Sequence, residues 1–257
     1  MSEPTPEGLY RLAEMSGFVF RGKVTRAGAA GPDAVESRQQ TSGVSVRVEE
    51  VLRSTEVLRG LAGRDAMLVG DGVDSLEDGG TYIFFTNCAV LSDHAVLRHD
   101  GHVRATRETG SEVAAVLTDM AERPLRERVA RAEMIIEGHV TDSRKADPEA
   151  VQKSEHDPDW WVARVAVQSV VKGSTPSEHV EVLFANSRDV AWFKSPKLHA
   201  GTRGIVLLHS TREVEVPRIF SERRIYHATD PLDFQPAERM NDIQRISAAM
   251  NEEEGGR

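Results

Sequence analysis

The chain has 257 residues, of which 39% are hydrophobic and 28% are charged, with 32 basic against 41 acidic side chains. This composition is typical of globular domains and excludes a disordered chain. The net charge of −9 argues against wholesale coating of nucleic acid or of an anionic membrane, although it leaves room for a local basic patch. The single cysteine, Cys88, excludes an intramolecular disulfide and any cysteine-cluster metal site.

The N-terminal segment, MSEPTPEGLYRLAEMSGF, is acidic and polar where a secretory signal needs a basic start and an apolar stretch. No uncharged apolar run approaches the roughly 18 residues that a membrane-spanning helix needs. We therefore expect a cytoplasmic protein without a membrane span. Six lysines against 26 arginines are typical of a GC-rich bacterial genome.

In chain order, helical signals bracket two sets of strands. Thr5-Pro6 predicts the start of a short helix, because proline at the first helical position loses no hydrogen bond. Ser111 predicts the cap of a second helix, and Pro124 predicts its interruption before a further helix leads into the second half. Pro236 predicts the start of the last helix, whose apolar residues recur at helical spacing.

Strands are predicted where apolar, β-branched residues alternate with polar ones, as at 18–24 and 44–51. Residues 95–105, AVLRHDGHVRA, alternate on both sides of Asp100-Gly101. That dipeptide tolerates the positive φ angles of a type I′ turn. We therefore predict a β-hairpin with Asp100-Gly101 at its tip.

The strand pattern recurs in the second half of the chain, which indicates a tandem duplication. Residues 12–25 and 131–141 both carry Ala-Glu-Met, an apolar stretch and Gly-x-Val-Thr. Three further pairs of segments match in the same order: 44–54 with 161–173, 65–72 with 179–186, and 76–85 with 198–207. The predicted fold is therefore mainly β with connecting helices, in two domains at 1–123 and 124–257.

Three segments of each copy share a pattern with a known family. They are Arg21-Gly22-Lys23-Val24-Thr25, 46–52 and 79–85 in the first copy, and 137–141, 165–173 and 201–208 in the second. This pattern resembles the netrin-like OB barrel of the tissue inhibitors of metalloproteinases. The resemblance implies two OB-like small β-barrels, each flanked by helices, and OB barrels most often bind oligonucleotides, oligosaccharides or proteins. The inhibitors' N-terminal Cys-x-Cys is replaced by Met-Ser-Glu, so protease inhibition by that mode is not expected.

The densest set of potential metal ligands is His94, His99 and His102, with Cys88 nearby in sequence. In the predicted hairpin, His99 and His102 face each other across the turn with β-carbons about 5 Å apart. Two imidazoles at that spacing could share a zinc ion, with His94 or Cys88 as a third ligand if the fold brings it near. The alternative interpretation is an exposed hairpin tip with polar residues and no cofactor.

Two adjacent tryptophans, Trp160 and Trp161, open a strand of the second copy. Consecutive strand residues point to opposite faces, so one indole should enter the barrel and the other should face outward. An outward indole could stack on a base or a sugar. The alternative is that it packs under a neighbouring helix or against the first copy.

Arginines and aromatic residues interleave near the end of the second copy. Arg218, Arg223, Arg224 and Tyr226 form the best candidate for contact with nucleic acid. Three glutamates between 213 and 222 lower the net charge of the segment. A solvated β-hairpin is the alternative interpretation.

Sequence motifs for catalysis are missing: there is no nucleophile elbow, P-loop, dinucleotide-binding loop or zinc-protease signature. Their absence lowers the expectation of an enzyme without excluding one. We expect a binding module that engages a protein partner, because two barrels offer a large surface and the charge is not basic. Nucleic-acid binding is the first alternative, and a metal-dependent enzyme around the three histidines is the second.

Overall fold

The structure is a computed structural model that describes residues 5–29, 43–91, 95–146, 158–175, 177–210 and 225–255. It is mainly β with connecting helices, as the sequence predicts. The chain divides into two compact units, Met1–Ala121 (unit 1) and Glu122–Arg257 (unit 2). No helix within the described ranges is long and apolar enough to cross a membrane.

Unit 1 is built on a closed five-stranded barrel. Its elements are α1 (Pro6–Met15), β1 (Phe18–Ala29), β2 (Gly43–Arg53), β3 (Asp65–Val69), β4 (Thr81–Leu91), β5 (Ala95–Arg104) and the first part of α2 (Arg107–Arg131), with 3-10 turns at Glu56–Leu61 and Val73–Ser75. The strands close in the order β1-β2-β3-β5-β4. β3 and β5 run parallel, and the other neighbours are antiparallel. This is an OB-like barrel, which confirms the predicted fold class.

Unit 2 repeats the barrel with one difference in its last strand. After the end of α2 come β6 (Met134–Lys145), β7 (Trp160–Lys172), β8 (His179–Ala185), β9 (Arg203–Ser210), β10 (Tyr226–His227), β11 (Phe234–Gln235) and α3 (Met240–Gly255). β10 pairs with both β8 and β9, which closes the barrel, and β11 also pairs with β9. β10 and β11 therefore take the place of β5 as two short pieces, separated by residues 228–233.

The two barrels match in local detail, which confirms their tandem architecture. Gly22 in β1 and Gly138 in β6 each follow a register shift against the next strand. A Cβ on either glycine would lie 2.7 Å or 2.4 Å from a carbonyl oxygen of that strand, so the close approach requires glycine. The hydroxyls of Thr25 and Thr141 donate to a carbonyl oxygen of the same neighbouring strand at 3.1 and 3.0 Å. The repeated Gly-x-Val-Thr segment thus has the same backbone geometry and the same contacts in both barrels.

Each barrel has an apolar interior and further apolar clusters on its outer face. In unit 1, α1 and α2 cover the outer face. In unit 2, α2 and α3 cover the outer faces of β6 and β9 through side chains such as Leu125, Val129 and Ile243. The turn 189–195 covers β8 through Trp192. Because β10 pairs with both β8 and β9, its outer face lies between these two covers.

The hairpin predicted at 95–105 is wrong, because β5 continues through Asp100-Gly101. Both sides of the dipeptide pair with β4, and a register shift leaves Asp100 as the extra residue of a β-bulge. The glycine serves helix packing instead, since a Cβ at Gly101 would lie 2.7 Å from Leu12 of α1. Barrel closure requires β5 to pair with both β3 and β4, and this requirement overrides the local turn preference.

The helix break predicted at Pro124 is also wrong. α2 runs from Arg107 to Arg131 without interruption, and Pro124 is exposed inside it. A proline inside a helix costs about 3 kcal/mol, because it removes one backbone hydrogen bond and crowds the preceding turn. Burial of Leu125 and Val129 directly after it offsets that cost.

Threonine side chains cap the first two helices and set where each helix begins. Thr5 caps α1 as predicted, and its hydroxyl accepts the Gly8 amide at 3.3 Å. α2 begins at Arg107 rather than at the predicted Ser111. The reason is a reciprocal pair: the amides of Thr106 and Thr109 each donate to the other's hydroxyl at 3.0 and 3.1 Å.

Candidate functional site

The fifth strand of each barrel is irregular, and each irregularity brings two imidazole rings together. In unit 1, His99 and His102 lie on either side of the β5 bulge. In unit 2, His227 lies just before the break at 228–233 and faces His209 on the neighbouring strand. The buried histidines and carboxylates of the described residues all lie at these two places.

In unit 1 the bulge turns both rings toward the barrel interior, where His102 contacts the rings of Tyr82 and Phe84. His99 Nδ1 lies 2.7 Å from the carbonyl oxygen of Asp71, so it carries the proton and donates it. His99 Nε2 then accepts from His102 Nδ1 at 3.0 Å. This leaves His102 Nε2 as a lone pair without a hydrogen-bond partner among the described residues.

Burial and the neighbouring His99 lower the pKa of His102 to about 4, so its ring is neutral at pH 7. A neutral imidazole with a free lone pair is a potential metal ligand. The structure therefore brings two of the predicted zinc ligands together, while His94 lies outside the described residues and Cys88 is exposed. Within the described part of the chain, no three histidine, cysteine or acidic side chains are grouped to hold a metal ion. Zinc bound by all three histidines stays a prediction.

In unit 2, the fully buried carboxylate of Asp233 organises the break in the fifth strand. Its Oδ1 accepts from Arg128 Nε and Nη2 at 2.9 and 2.6 Å and from His209 Nε2 at 3.1 Å. Its Oδ2 accepts from the backbone amides of Thr229 and Asp230 at 2.9 and 2.8 Å. Burial alone would raise the pKa of Asp233, but the hydrogen bonds and charges of His209 and Arg128 outweigh it and hold that pKa below its usual value.

His227 is 3% exposed and lies beside His209, with 5.5 Å between the ring centroids. Burial and the neighbouring His209 lower its pKa to about 4, so the ring is neutral at pH 7. Its Nδ1 lies 3.2 Å from the hydroxyl of Thr229, and its Nε2 has no hydrogen-bond partner in the described residues. In the tautomer in which the Thr229 hydroxyl donates to Nδ1, the ring carries its proton on Nε2. A backbone hydrogen bond with Ser210 is the smallest effect on the pKa of His227 and raises it.

A cavity of about 420 Å³ opens beside this network, within the size range of small-ligand sites. Its polar lining combines cations, hydroxyls and an imidazole: Arg128, Arg131, Lys194, Ser195, Thr229 and His227. Asp230 is the one carboxylate among the described lining residues. Because Arg128 is already paired with Asp233, two further cations, Arg131 and Lys194, stand against one lining carboxylate, and this balance makes the cavity suited to an anionic group.

The turn 189–195 supplies one wall of the cavity and also holds two strongly exposed apolar side chains. Val190 is 94% exposed and Phe193 is 69% exposed. The turn is held in place because Trp192 packs in the apolar cluster over β8. Lys197 also donates to the Trp192 carbonyl oxygen at 2.9 Å and to the end of β8 at 2.6 Å. The exposed side chains therefore belong to an ordered turn.

The two tryptophans singled out in the sequence lie on opposite faces of β7, as strand geometry requires. Trp161 packs on the barrel interior, with its ring centroid 6.4 Å from that of Phe184. Trp160 faces outward but is only 5% exposed, and its ring lies 5.7 Å from that of Trp192. In this structure the outward indole contacts protein side chains.

Of the predicted nucleic-acid contacts, Arg218, Arg223 and Arg224 lie outside the described residues, so their role stays a prediction. Tyr226 lies on β10, where its partly buried ring packs against the interior core of unit 2. It also lines a groove of about 250 Å³ together with His179.

Sequence reasoning missed the central network of unit 2, which consists of Arg128, His209, His227 and Asp233. One local signal was available in the segment 230–233, Asp-Pro-Leu-Asp. Its first and last residues form a capping box around a short 3-10 turn, with proline at the first helical position. That pattern predicts the turn, but it does not predict that the Asp233 carboxylate also binds an arginine from α2.

No protein-family model matches the chain, and no curated protein matches it. Among solved structures, the chain is similar to the crystal structure of wild-type single-stranded DNA binding protein from Thermus aquaticus. The similarity covers 76% of this chain and 85% of that chain, at 13% sequence identity and a TM-score of 0.19. The fold is assigned from the strand order of the two barrels.

Proposed function

We propose that the protein is a non-enzymatic binding module that engages a protein partner through unit 2. The observation that carries the proposal is the exposure of Val190 and Phe193 on the ordered turn 189–195. Five large apolar side chains are exposed among the described residues, and these two lie three positions apart beside the cavity. Exposed apolar side chains grouped next to polar groups are typical of interaction surfaces.

The partner that suits this surface is a protein segment with a large apolar side chain next to a negative group. Phe193 and Val190 would contact the apolar side chain. Arg131 and Lys194, which line the adjacent cavity, would contact the negative group. An aromatic anchor supplies affinity in such interfaces, while complementary charge sets specificity and the rate of association.

The proposal is tested by selecting displayed random peptides on the full chain. The selected peptides should carry an aromatic or aliphatic residue flanked by acidic residues. Their affinity should fall by about tenfold or more in the double variant Val190→Asp, Phe193→Asp, because both apolar contacts are lost. Val57→Asp is the matched control, since Val57 is 72% exposed but belongs to unit 1.

Two results would contradict the proposal. The first is equal peptide binding by the wild-type chain and the double variant. The second is an equal loss in Val57→Asp, because that loss would show a general effect of added charge rather than a surface on unit 2.

Nucleic-acid binding is the second candidate, and the position of Tyr226 favours it. This ring follows Arg223 and Arg224 in sequence and lines a groove, where a base could stack on it. Affinity for a single-stranded oligonucleotide should then fall steeply with salt, and it should fall further when both arginines become alanine. Undetectable or salt-independent binding would remove this candidate.

Two finer points belong to the first proposal, and a third candidate function stands beside it. The barrels are of the netrin-like type, which their strand order and repeated segments support. The module acts in a bacterial cytoplasm, as its single cysteine and arginine-rich composition suggest. Zinc at His94, His99 and His102, with a metal-dependent activity, is the third candidate; it requires near-stoichiometric zinc in the purified protein that is lost in His99→Ala.

A further inference from the structure

We propose that the cavity of unit 2 binds a phosphate group through Arg131, Lys194 and His227. The inference names the negative group that the docking surface receives. It rests on the proposed function for the source of the phosphate, which would be a phosphorylated segment of the partner. The chemistry of the cavity itself does not depend on that source.

The cavity presents two cations that are not committed elsewhere in the described structure. Arg131 comes from the last turn of α2, and Lys194 comes from the turn 189–195. Both side chains are exposed, and neither forms an ion pair or hydrogen bond with another described residue. A guanidinium binds phosphate oxygens through paired donors, and an ammonium binds them as a compact charge.

His227 is the observation that points to a ligand. The residue is almost fully buried, lines the cavity and leaves its Nε2 without a partner among the described residues. Buried polar side-chain atoms are nearly always hydrogen-bonded in folded proteins. Nε2 is enclosed by protein atoms in this structure, so a hydrogen bond from it to a phosphate oxygen would require the ring to turn toward the cavity.

The rest of the lining is arranged before a ligand arrives. Asp233 holds the Arg128 guanidinium at the cavity through two hydrogen bonds, so this arginine does not have to be ordered on binding. The carboxylate of Asp230 accepts the Leu232 amide at 2.9 Å as a helix cap. Its role is therefore structural, and the cations of the lining outnumber it.

Phosphate suits this lining better than a carboxylate does. The cations and the Ser195 hydroxyl can donate to a group bound in the cavity, whereas the single proton of the Thr229 hydroxyl is donated to His227 Nδ1. A phosphomonoester offers three strongly accepting oxygens and close to two negative charges at neutral pH. A carboxylate offers two oxygens and one charge, so it would satisfy fewer of these donors.

Binding is measured by titrating the full chain with inorganic phosphate at constant ionic strength and neutral pH. Trp192 lines the cavity, so its fluorescence should change saturably, with a dissociation constant of about 1 mM or lower. The double variant Arg131→Ala, Lys194→Ala should weaken binding by about tenfold or more. His227→Gln should weaken it by a smaller factor. Lys145→Ala, which removes a surface ion pair with Asp159, is the control and should bind as the wild type does.

Acetate at the same ionic strength should cause no saturable change. The phosphate assignment is overturned if acetate gives an equal response, if the double variant retains the phosphate response, or if phosphate gives no response at all. Arg131 and Lys194 are both exposed, so these variants are expected to fold.

The source of the phosphate is tested with a selected peptide that is synthesised with phosphoserine in place of its acidic residue. This peptide should bind more tightly than inorganic phosphate does, because it also contacts Val190 and Phe193. Equal affinity for the two would support a phosphate site supplied by free phosphate and would count against the proposed partner. Tight peptide binding without any effect of the phosphoryl group would overturn the phosphate site and leave the proposed function standing.

Discussion

Replacing Asp233 by asparagine should strongly destabilise unit 2. The carboxylate is fully buried, and its two oxygens accept hydrogen bonds from Arg128, His209 and the backbone amides of Thr229 and Asp230. Asparagine has nearly the same shape but only one accepting oxygen. Whichever way the amide turns, its NH₂ group would face donors, and Arg128 would lose its countercharge.

The size of the effect follows from the burial of the pair. Removing one partner of a buried ion pair costs about 3–5 kcal/mol, because the other charge is left without compensation. The Arg128 side chain is 20% exposed and therefore retains some solvation, which favours the lower end of that range, about 3 kcal/mol. With a urea dependence of about 2 kcal/mol per molar, the unfolding midpoint should shift by about 1.5 M.

The assay is urea unfolding followed by tryptophan fluorescence. All three tryptophans of the chain, at 160, 161 and 192, belong to unit 2, so this signal reports on that unit alone. Asp242→Asn is the control in the same unit, because it breaks an exposed ion pair with Arg239 and should cost less than about 1 kcal/mol. A shift in Asp233→Asn no larger than the shift in this control would refute the reasoning.

The stability of unit 2 should fall as the pH drops from 6.5 to about 4, because in that window the unfolded chain protonates His227 and the folded unit does not. The free energy of unfolding should decrease by at most about 3 kcal/mol over this window. His227→Gln should make the free energy of unfolding less dependent on pH, and a pH dependence equal to that of the wild type would contradict this prediction. Gly138→Ala should cost about 1–3 kcal/mol, because the added Cβ would lie 2.4 Å from the Ala166 carbonyl oxygen. The same urea assay checks this, and an unchanged midpoint would show that β6 and β7 can move apart to accommodate the methyl group without a loss of stability.

Periodicity predicted the strands well because burial in a barrel follows the strand period, whereas the barrel itself was implied by the resemblance to a known family. Val44, Val46 and Val48 point into the interior of unit 1, and the alternation of apolar and polar residues along β2 reflects their burial. The repeat was visible for a similar reason. Gly22 and Gly138 sit where the next strand approaches too closely for any side chain, so both copies show the same residue at the same place.

Local signals failed where tertiary structure outweighs them. Asp100-Gly101 has the composition of a tight turn, yet barrel closure requires a continuous strand there. Pro124 has the properties of a helix breaker, yet apolar contacts after it sustain the helix. Both errors have one cause: the competing interaction comes from residues distant in sequence, which no local pattern contains.

The candidate site was beyond local prediction for the same reason. Arg128 and Asp233 are 105 positions apart, and His209 is 24 positions from the same carboxylate. A single sequence contains many arginines and histidines with no mark of which ones meet. The exposed turn could not be predicted either, because the sequence does not show which of the apolar residues Val190, Trp192 and Phe193 packs inward. In the structure only Trp192 does.

The position of the site follows from how unit 2 closes its barrel. Where the fifth strand breaks between β10 and β11, backbone amides leave the ladder and need another acceptor, because a buried amide without one is costly. The Asp233 carboxylate accepts two of them, from Thr229 and Asp230. A buried carboxylate in turn requires a countercharge, which brings Arg128 from α2 to the outer face of the barrel. The hydrogen bonds that satisfy the freed backbone amides thus place the Arg128 guanidinium and His227 beside one cavity. In unit 1, β5 is continuous, so its backbone needs no such carboxylate.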